Sequence, residues 1–187
     1  MSARAYEANY NSALTFLKYQ QNDAAIETLK KALSQVPEDE ISDKNAVYLS
    51  ILAVLSFLLL QKSEIVNSYQ YVEQGLAVKK NHADLLFVNA LILLDYKRYD
   101  EMMEAIINYL LALGEKESEK YDYRYIHEQA LKEVYDTLLP MAYRDASKSD
   151  KIKDIVERLC AASDNEWLKK ALDIMIAVDK SRNRLDN

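Results

Sequence analysis

The chain has 187 residues, long enough to bury a sizeable core in one domain, yet it carries only 2 glycines and 2 prolines. Average usage would put those two residue types near 12% of the chain, so the turn-rich β sandwiches and barrels that depend on them are disfavoured. With 24 lysines and arginines against 30 aspartates and glutamates the net charge is −6, which argues against a nucleic-acid partner held by overall electrostatics.

The same scarcities remove whole chemistries. Gly75 and Gly114 are too far apart to build a phosphate-cradling loop or a nucleophile elbow. One cysteine, Cys160, with His82 and His127 as the only histidines, cannot make a conventional Cys/His zinc site. No metal and no cofactor is expected. The N-terminus Met1-Ser2-Ala3-Arg4-Ala5-Tyr6 lacks the apolar core of a signal peptide. The most hydrophobic stretch, Ala46 to Leu60, is 15 residues long, shorter than the ~17–25 that span a bilayer. A soluble, cytoplasmic protein without a membrane span is the expectation, and a lone cysteine agrees with it. Acid is concentrated in residues 81–120, where eight carboxylates face four cations. This reads as a solvated face, or as steering of a basic partner.

In chain order, apolar residues recur at helical spacing almost throughout. Tyr6, Tyr10, Ala13, Leu14 and Leu17 make a first stripe; Ala25, Ile26, Leu29, Ala32 and Leu33 make a second, which Pro37 stops. Glu38 to Lys44 reads as a charged linker. An apolar helix is expected from about Asn45 to Gln61, and another from Ser63 to about Lys79. Asn81 is a candidate N-cap for a helix carrying Leu85, Leu86, Val88, Ala90, Leu93 and Leu94. Its partner runs from Tyr99 to Leu113, with Gly114 suited to a left-handed C-terminal cap. After a second charged linker the spacing predicts a helix from about Tyr123 that Pro140 must kink or end, and a short helix from Asp150 to Ala162. Ser163-Asp164-Asn165-Glu166 has the form of a capping box opening a last helix, whose tail from Asp179 is expected to fray.

These helices pair, and the pairs repeat. Leu52, Ser56, Leu59, Ile65 and Val72 precede Leu86, Ala90, Leu93, Tyr99 and Ile106 by 34 residues each. The first pair matches the second at an offset of 43, placing Ala13 on Ser56, Ala25 on Ser68, Leu29 on Val72 and Ala32 on Gly75; the surplus falls in the linker before Asn45. A helix–turn–helix unit of about 34 residues is the mark of tetratricopeptide repeats, and over about residues 4–114 the chain resembles the tetratricopeptide (TPR) family. That resemblance implies an all-α, TPR-like α-solenoid of stacked antiparallel helix pairs. Small residues (Ala13, Ala25, Ala32; Ser56, Ser68, Gly75; Ala90) would sit at helix crossings, with Phe16 and Leu29 as fillers and Pro37 as the closing proline. Met102 and Tyr109 stand where small residues are expected, which leaves the packing angle of the third pair open. Residues 1–114 are read as three TPR-like pairs, and 115–187 as an irregular C-terminal helical region of the same domain.

The resemblance also implies a curved array whose inner surface is lined by Tyr10, Leu14, Ala53, Phe57, Phe87 and Leu91. Such a row lacks the cationic and amide residues of the TPR clamps that hold chaperone C-termini. Left in water it would be costly, so three occupants are open: the chain's own residues 123–178, with Trp167 as a natural plug; a second copy; or an amphipathic segment of another protein. Fourteen tyrosines, densest at Tyr121, Tyr123 and Tyr125, suit packing or contact. The expected function is therefore a non-catalytic protein–protein interaction scaffold, binding an apolar or amphipathic segment or dimerising. The alternative is an accessory TPR segment of a larger bacterial enzyme such as a glycosyltransferase, suggested by Asp84-Leu85-Leu86-Phe87, Arg98-Tyr99-Asp100-Glu101 and Leu113-Gly114-Glu115. A small enzyme using His127 is the third reading; His127 and Glu128, adjacent on a helix, would diverge rather than face one another.

Overall fold

The computed structural model describes residues 4–114 and 127–185, and among them every regular element is helical. The first part holds α1 (Ala5–Lys18), α2 (Asn22–Ser34), α3 (Ala46–Gln61), α4 (Ile65–Val78), α5 (Ala83–Asp95) and α6 (Tyr99–Leu113). The second holds α7 (His127–Glu133), a π-turn (Val134–Leu138), α8 (Leu139–Asp145), α9 (Ser149–Ala162) and α10 (Glu166–Leu185). Consecutive helices pack most closely as the pairs α1–α2, α3–α4 and α5–α6, and neighbouring pairs meet through α2–α3 and α4–α5. The odd-numbered helices also touch in succession, α1 with α3 and α3 with α5.

Composition explains which helices go inside. Helices α3 and α5 are apolar almost all round, and such helices must be covered on every side. In α3, Tyr48, Leu49, Leu52 and Ala53 join one core, whereas Val54, Leu55 and Leu58 join a second core made with α1 and α2. The first core continues through α5 and α6 to Met175, so the helices after residue 127 share it. Burying each such leucine or isoleucine contributes roughly 1.5–3 kcal/mol, and this drives the pairs to stack.

The turns inside the three pairs are copies of one another. Gln20, Ser63 and Lys97 take left-handed φ values of 58°, 62° and 56°. In each turn the N–H of the following residue (Gln21, Glu64, Arg98) donates to a carbonyl five residues back (Phe16, Leu59, Leu93) at 2.9 Å. The left-handed residue itself donates to the next carbonyl (Leu17, Leu60, Leu94), also at 2.9 Å. This is the Schellman arrangement, which satisfies carbonyls that a helix end leaves open. None of the three positions is glycine, although the left-handed region costs an L-residue about 1–2 kcal/mol.

The crossings use small residues where a helix comes close. Ala13, Ala25 and Ala32 are fully buried in the first pair. In the second, Ser68 donates its hydroxyl across the crossing to the Ser56 carbonyl at 2.7 Å and Ser56 donates within α3 to the Ala53 carbonyl at 2.9 Å, so both buried hydroxyls are satisfied. A Cβ on Gly75 would run into Leu85 Cδ1, which places the α4–α5 approach at that glycine. The third pair departs from this, as its sequence does: Met102 and Tyr109 are fully buried at the equivalent positions.

Four local expectations are corrected. The N-cap of α5 is His82, whose Nδ1 accepts from the Leu85 N–H at 3.4 Å; Asn81 lies one residue before it. Gly114 is right-handed, with φ −75°; it serves close approach instead, since an added Cβ would lie 2.8 Å from the Asn165 amide nitrogen. The cap of α10 is Asn165, which accepts from the Leu168 N–H at 3.1 Å, while Ser163 turns back to the Leu159 carbonyl. Helix α10 runs through Asp179 to Leu185 because its polar residues are tied down: Tyr143 donates to Asp179 at 3.0 Å, Lys153 to the same carboxylate at 2.6 Å, and Arg182 to the Tyr143 carbonyl at 3.3 Å. Pro140 does not end its helical run, which passes from the π-turn into α8. The π-turn before it, closed by Leu139 N–H to the Val134 carbonyl, makes room for a residue with no N–H to give.

The charged stretch after Pro37 is also fastened. It forms a 3₁₀ turn at Glu38–Glu40, and the Glu40 carboxylate accepts from Tyr6 at 2.6 Å and from Arg4 at 2.8 Å. Asn45 donates to the Glu40 carbonyl at 3.1 Å and caps α3 through Tyr48 N–H.

Candidate functional site

The six residues expected on an inner surface fall into two rows. Leu14, Phe57 and Leu91 occupy equivalent positions on α1, α3 and α5, and each remains half-buried. One turn earlier, Tyr10, Ala53 and Phe87 are buried, at 7%, 1% and 2% exposure. Tyr10 belongs to the core of the first pair, whereas Ala53 and Phe87 belong to the larger one. The space beside Phe87 is occupied within the chain: the Tyr109 ring of α6 lies 6.1 Å away at 45°, and α5 also meets the π-turn. Trp167 is half-buried further along, where it shares a cavity with Leu111, Leu113 and Gly114 at the end of α6; its carbonyl accepts from Tyr135 at 2.8 Å.

Two buried polar groups that no sequence motif marks lie on α5 and α6. Asp84, in the first turn of α5, is 6% exposed, and Tyr109 is fully buried. Neither the Asp84 Oδ1 nor the Tyr109 hydroxyl has a hydrogen-bond partner. Burial pushes the Asp84 carboxyl up to about 8, so it is held mainly neutral at pH 7. Burial, and then the proximity of Asp84, raise the Tyr109 phenol. Burial, together with Lys79, lowers His82 to about 3, so its imidazole is neutral and free to accept at the helix cap. An aspartate directly ahead of the apolar run Leu85-Leu86-Phe87-Val88 carries a weak sign of a buried acid, but only packing decides that it is one.

Other reactive groups stand apart. Cys160 is half-buried, and burial raises its thiol, the opposite of nucleophilic activation. Among the described residues no group of three or more His, Cys, Asp and Glu side chains is placed to hold a metal ion. Among the same residues no helix is long and apolar enough to cross a membrane. The Tyr121, Tyr123 and Tyr125 cluster and the side chain of His127 lie outside the described residues.

No protein-family model matches the chain, and no curated protein matches it at a significant level.

Proposed function

We propose that the chain is a TPR-like α-solenoid acting as a non-catalytic, cytoplasmic interaction scaffold, with the half-buried row Leu14, Phe57 and Leu91 as its contact for an apolar or amphipathic protein segment. One observation carries this reading: the turns at Gln20, Ser63 and Lys97 share the same backbone geometry and hydrogen bonds at the 43- and 34-residue offsets that relate the crossings. A repeated unit that cannot bury both its faces alone stacks with its neighbours and leaves one common side for contact. Burial of Tyr10, Ala53 and Phe87 narrows that side to the outer row and leaves the other three as its support.

The test is selection from a displayed peptide library on the whole chain, compared with the double variant Phe57→Glu, Leu91→Glu, with both proteins checked for helicity. Enrichment of amphipathic sequences on the parent and their loss on the variant is expected. Equal enrichment on both removes the row from the contact surface. A stable dimer of the parent that the same two substitutions split would instead assign the row to self-association.

A further inference from the structure

A second apolar groove lies away from that row, between α6 and α9. It encloses about 470 Å³, and its floor is Ile107 and Leu111 of α6 with Ile152, Ile155 and Leu159 of α9. The floor residues follow one another at spacings of three or four, so each helix offers a single continuous face. Ile107 is buried, but Ile155 is 51% exposed, one of few large apolar side chains left so open. The groove exists because the two helices are pinned at one end: the Asp100 carboxylate accepts from the Ser147 hydroxyl at 2.6 Å and from the Lys148 N–H at 2.9 Å.

The charges around it are lopsided. Asp100 is spent on the junction and Glu101 is paired with Arg98. Glu104, exposed on the α6 wall one turn before Ile107 and Asn108, has no ion pair among the described residues. The cation of the lining, Lys148, sits at the pinned end. We infer that the α6–α9 groove docks an amphipathic helical segment of another protein, its apolar stripe on Ile107 and Ile155 and a lysine or arginine on its flank facing Glu104. Two side-by-side helices with an apolar floor match the helix-in-groove mode of recognition, and a rim carboxylate supplies register and sign selectivity. The inference rests on the scaffold reading above but places a second contact on a different surface.

The probe is a labelled 14-residue helical peptide with leucine at three- and four-residue spacing and lysine along one flank, and a twin with glutamate in place of lysine. Fluorescence anisotropy is read with the whole chain. The lysine peptide is expected to bind and the glutamate twin to bind at least tenfold more weakly. Glu104→Lys and Ile155→Glu should each weaken the lysine peptide about tenfold, whereas Glu27→Lys, the same charge change on distant α2, leaves it unchanged. Phe57→Glu, on the row of α1, α3 and α5, should weaken it less than Ile155→Glu does. Equal affinity for both peptides, or equal loss with Glu27→Lys and Glu104→Lys, overturns the inference. Loss with Phe57→Glu but not with Ile155→Glu overturns it while supporting the row on α1, α3 and α5.

Discussion

The helix pairs before Gly114 and the helices after residue 127 are held by different means. In the pairs the same backbone turn recurs, and in the first two the crossings are closed by alanine, serine or glycine, so corresponding positions make corresponding contacts. Among the described residues after 127 no such turn recurs, and specific polar side chains join the helices in addition to the shared apolar core: Tyr135 to the Trp167 carbonyl, Asn165 to the Leu110 carbonyl, and Tyr143, Lys153 and Asp179 linking α8, α9 and α10. The first kind of region spreads its stability over many equivalent apolar contacts. The second adds to its share of the apolar core a few polar bonds, each of which can be removed by one substitution.

The largest expected effect is therefore in the second region. Asp179→Ala leaves Tyr143 and Lys153 without their shared acceptor and should cost about 1.5–3 kcal/mol in urea unfolding. Hydrogen exchange should quicken in α8–α10 and stay unchanged in α1–α4; uniform quickening would erase the contrast between the regions. Burial alone would raise the Asp179 carboxyl, but bonds from Lys153 and Tyr143 hold it below the usual aspartate value. Its contribution is thus present above the ordinary aspartate pKa and is lost as pH falls through the folded value, so parent and variant should converge in acid.

Asp84 probes the join between the regions, and its sign is opposite. Its folded pKa, about 8, lies above the usual 3.8, so the folded chain holds a proton that the unfolded chain has released, and stability falls as pH rises between those values. Asp84→Asn keeps the neutral shape. It should raise stability at pH 8 by about 1–2 kcal/mol, with the gain fading toward pH 4 in thermal unfolding. A loss at pH 8 would mean that the carboxylate is the native form.

The smallest effect tests the repeat itself. Lys97→Gly relieves a left-handed residue of about 1–2 kcal/mol and forfeits about 0.5–1 kcal/mol to the freer unfolded glycine. A net gain between zero and about 1.5 kcal/mol is expected, equal for Gln20→Gly and Ser63→Gly. Unequal gains would show that the three turns are alike in backbone only.

Much of the first region is legible in the sequence, because a helix prints its period on its sequence and a stacked pair prints small residues at its crossings: Ala13, Ser56 and Ala90 carry both signals. The turns were legible only as positions, since Gln20, Ser63 and Lys97 are not residues that advertise a left-handed backbone. The apolar character of Leu14, Phe57, Phe87 and Leu91 is plain in the sequence, but not how much of each lies open, because burial of Phe87 depends on Tyr109 and on the π-turn far along the chain.

What the sequence determined by itself was local and periodic: all-helical elements, their pairing, and the offsets between pairs. What only tertiary structure decided was every arrangement joining residues distant in the chain. His82 rather than Asn81 caps α5, Gly114 yields to Asn165, Asp84 goes dry, and the polar end of α10 holds instead of fraying. The physical reason is that a helix's periodicity is set by neighbours three or four residues away. The fate of a polar side chain is set by whichever group the fold brings to it, and nothing in its own vicinity encodes that meeting.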